Sequence, residues 1–166
     1  LSAGQTETIT EHLLQVNSSF YLPLNEDFVP QGTFNPVEKT DFDFTLPKHV
    51  GKVLASKDSQ IVLAGGIDHE FLVLSSLKPV VRCEEPNTGR VLEIYTSEPA
   101  VHIYTGNFLQ SGQSDKRGIT FQKYSGLAFE TQHFSDSVHH KNFPSVLLTP
   151  GQQYFSETKY CFSVKS

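Results

Sequence analysis

A carboxylate stands inside an apolar run at Gly126-Leu-Ala-Phe-Glu-Thr-Gln132. Read as a β-strand, the run points Leu127 and Phe129 to one face and Ala128, Glu130 and Gln132 to the other. A buried, unpaired charge costs several kcal/mol, or else the group shifts its pKa and neutralises. A buried Glu130 is therefore either paired structurally or used, and a carboxylate with a raised pKa suits general acid–base work. Asp68 is the second candidate, between the Gly65-Gly66 bend and His69-Glu70. It is either an Asx-turn residue satisfying nearby amides or a site carboxylate between two apolar segments. Two carboxylates suit chemistry at an anomeric centre, as hydrolysis or as proton shuttling.

Seven histidines are candidates for imidazole chemistry: His12, His49, His69, His102, His133, His139 and His140. None is spaced i, i+4 as in helical zinc sites, and no metal site is expected. His102 lies in Val101-His-Ile-Tyr-Thr105, a strand pattern, so its ring faces one side of a sheet. It is either a ligand-facing imidazole or a satisfied core group. His139-His140 reads as a solvated loop pair. Gly65-Gly66 lacks the Lys-Ser/Thr and helix of a phosphate cradle, and Ser125-Gly126 lacks the pattern of a nucleophile elbow.

Strands must position these groups. No segment of eleven residues keeps apolar positions at helical spacing, so the whole chain reads as all-β, with roughly ten strands. Expected strands cover residues 12–16, 20–24, 42–46, 60–64, 71–74, 79–84, 90–97, 101–105, 144–149 and 154–164. The runs 79–84 and 90–97 flank Glu85-Pro-Asn-Thr-Gly89 and form a hairpin. Residues 110–118 form a solvated loop. The terminal strand, 154–164, has the clearest period of two.

Composition narrows the function. The chain has 166 residues, 13 Phe and 6 Tyr, enough for one domain with a core. Its net charge of −5, with scattered Lys and Arg, argues against a nucleic-acid partner. No apolar run approaches the roughly 18 residues of a membrane-spanning helix. Cys83 and Cys161 sit in unrelated strand-like runs and read as free, apolar-type residues, so a reducing, cytoplasmic compartment is expected. There is no Met, and residue 1 is Leu. The chain is expected to be a processed product or a fragment.

Several stretches in order carry a resemblance. They are Gly65-Gly-Ile-Asp-His-Glu-Phe71, Gly89-Arg-Val-Leu-Glu93 before Tyr95-Thr96, Tyr104-Thr-Gly-Asn-Phe-Leu109, Phe129-Glu-Thr-Gln-His-Phe134, and Pro150-Gly151 ahead of Tyr154 and Thr158. Tyr21-Leu-Pro23 and Thr40-Asp-Phe-Asp-Phe44 fit as well. Together they closely resemble the aldose 1-epimerases, or galactose mutarotases. The resemblance implies an antiparallel β-sandwich of the galactose mutarotase-like supersandwich type, and interconversion of α and β anomers of an aldohexose such as galactose or glucose. It implies no cofactor and a monosaccharide substrate. Glu130 matches the family's general base, Asp68 a carboxylate that binds sugar hydroxyls, and His102 a substrate-binding position where the family usually has Gln. The family's acid His lies in an Asn-His-x-Tyr-Phe-Asn-Leu segment whose tail Leu1-Ser2 resembles. Residues 1–166 are thus expected to be the C-terminal portion of one aldose 1-epimerase domain. Such a portion would have little activity alone, and would pair with the N-terminal half or with itself. A non-catalytic sugar-binding relative and the mutarotase tail of a bifunctional nucleotide-sugar epimerase are the alternatives.

Overall fold

The computed structural model describes residues 1, 8–110, 112, 114–116 and 118–165. Ser2 and residues 111, 113 and 117 of the expected loop lie outside the described residues. Ten strands and two short α-helices follow in the order β1 (Leu13–Val16), β2 (Phe20–Tyr21), β3 (Asn35–Pro36), β4 (Lys48–His49), α1 (Val50–Leu54), α2 (Ser59–Ala64), β5 (Asp68–Leu72), β6 (Val81–Glu85), β7 (Arg90–Thr96), β8 (Ala100–Tyr104), β9 (Ala128–Gln132) and β10 (Thr158–Val164). They build two five-stranded sheets, ordered β10-β7-β6-β1-β4 and β3-β2-β5-β8-β9. Every named pairing is antiparallel. No helix among the described residues is long and apolar enough to cross a membrane.

The core lies between the sheets. Leu14, Val16, Val81 and Ile94 meet Phe71, Val101 and Ile103, with Phe42 and Phe44 filling in from the connection after β3. The expected β6–β7 hairpin forms. Its turn is organised by Glu85, whose carboxylate accepts from the Asn87 N–H at 3.2 Å, the Asn87 Nδ2 at 2.9 Å and the Thr88 N–H at 2.7 Å. Burial alone would raise the pKa of Glu85, but these donors outweigh it and hold the carboxyl down at about 2.

Six expected strands differ: 20–24 is a strand only over Phe20–Tyr21, 71–74 shifts back to Asp68–Leu72, and four others change more. Residues 60–64 are helical, not extended. Asp58 caps the start by accepting from the Gln60 N–H at 2.8 Å, and Gly65 ends the helix at φ 64°. Residues 42–46 bury Phe42 and Phe44 as alternation requires, yet form no strand. Short polar side chains capture the backbone instead: Thr40 accepts from the Phe42 N–H at 3.1 Å and Asp43 from the Thr45 N–H at 3.1 Å. Residues 144–149 form no strand either, and Ser145 Oγ accepts from the Leu147 N–H.

The terminal strand begins at Thr158, and its alternation buries neither face. Leu14, Cys83, Leu92 and Phe162 form one row across the first sheet. That row is sealed at Leu14 and Cys83 but 72% exposed at Phe162. Burial pushes the Cys83 thiol up to about 12. Cys161 is exposed, so only Cys83 behaves as the expected apolar residue; both are free.

Candidate active site

The candidates meet on β5, β8 and β9. Across these strands Asp68 pairs with Tyr104, Glu70 with His102, and His102 in turn with Glu130, while Ala100 pairs with Gln132. Directly paired residues share a face of a sheet. Asp68, Glu70, His102, Tyr104, Glu130 and Gln132 therefore project from one side. His69, Phe71, Val101, Ile103 and Phe129 project from the other, into the core.

His102 Nε2 lies 2.8 Å from Asp68 Oδ1, and the two side chains are 20% and 22% exposed. Asp68 thus spends its carboxylate across the sheet rather than on an Asx-turn. Burial is the strongest single influence on the His102 pKa and lowers it. The bond to Asp68 and the negative charges of Asp68, Glu70 and Glu130 together outweigh burial, so the pKa is raised. His102 is therefore a partly exposed imidazole on the face that carries Asp68 and Glu130, and not a core group.

Glu130 departs from the expected buried carboxylate: it is exposed. β9 is the last strand of its sheet, so no neighbouring strand covers its far side. The described residues give Glu130 no hydrogen bond, and it stands opposite His102 in register.

The bend before Asp68 is braced from below. Asn107 Nδ2 donates to the carbonyls of Ala64 at 3.0 Å and Ile67 at 2.9 Å. The Thr105 hydroxyl accepts from the Ile67 N–H at 2.9 Å. His69 is fully buried. Its Nδ1 accepts from the Asp68 N–H at 3.1 Å, so Nε2 carries the hydrogen and donates to Gln60 Oε1 at 3.2 Å. Burial, with the nearby His102 charge, lowers its pKa to about 3, and it stays neutral. The first residue of β5 is thereby held on both sides.

Sequence reasoning missed Glu70 as a member of this face, and it gave Gln132, though placed beside Glu130, no part in the site. The signal was present: Glu70 is two residues from Asp68, and Gln132 two from Glu130, so each pair shares a side of its strand. Another unanticipated cluster joins His133 Nδ1 to Glu98 Oε2 at 2.8 Å, with Tyr154 donating to the same carboxylate. His139 is exposed as expected. His140 is half-buried on Phe143, with ring centroids 4.9 Å apart, so the solvated-pair reading fails for it. Among the described residues no three His, Cys, Asp or Glu side chains are grouped to hold a metal ion.

Residues 1–161 match the family model described as aldose 1-epimerase. The galactose mutarotase of Homo sapiens is 39% identical over 165 residues, covering 98% of this chain and 47% of that protein. The aldose 1-epimerase of Escherichia coli (strain K12) is 32% identical over 165 residues, covering 96% and 47%. A crystal structure of a GalM/aldose epimerase homologue from C. elegans superposes with a TM-score of 0.86 at 29% identity, covering 98% of this chain and 49% of that one. The chain spans about half the length of the curated relatives it matches.

Proposed function

Because this chain belongs to the aldose 1-epimerase family, we propose that the whole protein interconverts the α and β anomers of an aldohexose, with Glu130 as general base. Glu130 takes the proton of the C1 hydroxyl. The bond from C1 to the ring oxygen breaks, its electron pair stays on that oxygen, and the oxygen is protonated by a general acid. C1 becomes an aldehyde, the C1–C2 bond rotates, and the same steps in reverse close the ring on the other face. Asp68 and His102 hold sugar hydroxyls. His102 donates where an amide side chain could donate or accept, which biases the sugar oxygens it can meet. Galactose is the first sugar to try, since relatives bear the name galactose mutarotase.

One observation carries the reading. Glu130 stands opposite His102 in register, and His102 is bonded to Asp68, so base and binding groups share one face of three adjacent strands.

Polarimetry on freshly dissolved α-galactose tests it. In the full-length protein, Glu130→Gln should lower turnover by about 10²–10⁴-fold while sugar binding is retained. Unchanged turnover would reject Glu130 as the base. Sugar binding without turnover in the unmutated protein would favour a sugar-binding relative instead.

A further inference from the structure

We propose that Glu70 is a positioning residue of this site, pinning the end of β9 so that Glu130 stands opposite His102 and placing a negative charge beside the imidazole. The inference rests on the proposed function, since it assigns Glu70 to the same proton-transfer site.

Glu70 is 2% exposed, although it shares its face with Asp68, His102 and Glu130. Burying a carboxylate is costly unless its oxygens are satisfied. Here all the donors come from one short segment. The Ser135 N–H donates at 2.9 Å to Oε1 and lies 3.2 Å from Oε2, the Ser135 hydroxyl donates to Oε1, and Gln132 Nε2 donates to Oε1 at 3.0 Å. Gln132 ends β9 and Ser135 lies just beyond it. These contacts cross β8 to reach β5, tying the edge strand to the strand that carries Asp68.

Two physical consequences follow. First, β9 has a strand on one side only, and a one-residue slip would turn Glu130 to the opposite face. A side-chain pin beyond the ladder opposes that slip. Second, three converging donors suit an acceptor-only group. A glutamine at position 70 would aim an NH₂ at other donors in one of its orientations, so the carboxylate is chemically specified. The charged and titratable groups acting on His102 are Asp68 and Glu70 from β5, Glu130 from β9, and His69 behind β5. Glu70 acts on the ring through its field, without a hydrogen bond to it.

The test uses Glu70→Gln and Ser135→Ala in the full-length protein, with two readouts. One is NMR titration of the His102 imidazole; the other is kcat and KM for mutarotation across pH. Glu70→Gln should lower the His102 midpoint, carry the corresponding limb of the pH profile to lower pH, and reduce kcat by about 10–100-fold with a smaller change in KM. Ser135→Ala leaves the charge in place, so it should reduce kcat less and leave the His102 midpoint where it is. It also keeps the pin testable if Glu70→Gln fails to fold. An unmoved His102 midpoint in Glu70→Gln, or full kcat in Ser135→Ala, overturns the inference. Failure of the underlying reading is distinguishable: it shows as unchanged turnover in Glu130→Gln, whereas the His102 titration needs no turnover.

Discussion

Gly65 and Gly66 are neighbours, yet alanine should cost very different amounts at the two positions. Gly65 closes α2 at φ 64°, and a Cβ there would meet only the flexible end of Lys123, at 3.6 Å from Nζ. Its penalty is the left-handed conformation alone, about 1–2 kcal/mol. Gly66 has φ 148°, and a Cβ would sit 2.2 Å from Asn107 Oδ1, 2.8 Å from Asn107 Cγ and 2.8 Å from Thr105 Oγ1. Neither group can step aside freely. Asn107 is buried, and its amide donates to the carbonyls of Ala64 and Ile67. Thr105 is buried too and holds Ile67. Backbone strain costs on the order of 1–3 kcal/mol, overpacking about 1–3 kcal/mol, and each buried polar group left without a partner about 1–3 kcal/mol. Gly66→Ala should therefore cost about 3–9 kcal/mol, a large share of the roughly 5–15 kcal/mol stability of an ordinary domain. Urea unfolding of the two variants beside the parent, followed by circular dichroism, measures the difference. Because Ile67 leads directly into Asp68, Gly66→Ala should also weaken sugar binding, and Gly65→Ala should not. Removing the obstacle with Asn107→Gly should reduce the penalty of Gly66→Ala in a double-mutant cycle. Equal penalties at the two glycines, or less than about 2 kcal/mol at Gly66, would refute the argument that Asn107 and Thr105 form a rigid brace.

Two further predictions concern charge. The Asp68–His102 bond raises the His102 pKa above its usual value, so its stabilisation is full below about pH 6.5 and is lost as pH rises through the folded-state midpoint. Asp68→Asn should lower the His102 midpoint and destabilise by about 1–2 kcal/mol near pH 5.5, with a smaller gap near pH 9; a gap that denaturant titration finds independent of pH would reject the linkage. Glu85 shows the opposite sign, since its pKa is depressed to about 2. Its stabilisation is full above about pH 4.5 and falls away as pH drops toward 2. Glu85→Ala should destabilise by about 2–3 kcal/mol at neutral pH, and acid titration should bring mutant and parent together; parallel acid-unfolding curves would contradict it.

Local pattern decided much of the framework. The β6–β7 hairpin, β8 and β9 were legible because an alternating run and a Pro- and Gly-containing turn leave the backbone few choices. Helix α2 was not. Four apolar residues in a row fit either period, and the deciding signals were the flanks, Asp58 as a cap and Gly65 in the left-handed region. The run at 42–46 shows a different failure. Its alternation correctly named Phe42 and Phe44 as buried, but Thr40 and Asp43 took the amides that a ladder would have used.

By itself the sequence determined residue types, strand parity and family resemblance. It named Asp68, His102 and Glu130, and parity placed Gln132 beside Glu130, while Asp68 and Glu70 were read as lying before the expected strand 71–74. Only the tertiary structure decided that these pairs face the same way. Register between residues 32 and 28 positions apart is set by ladders and core packing, such as His102 against both Glu70 and Glu130, and no spacing within one strand contains it. Exposure was decided at the same level. Glu130 and Phe162 both sit in alternating strands, and both are open because β9 and β10 are edges, a property of sheet order and not of either strand's residues.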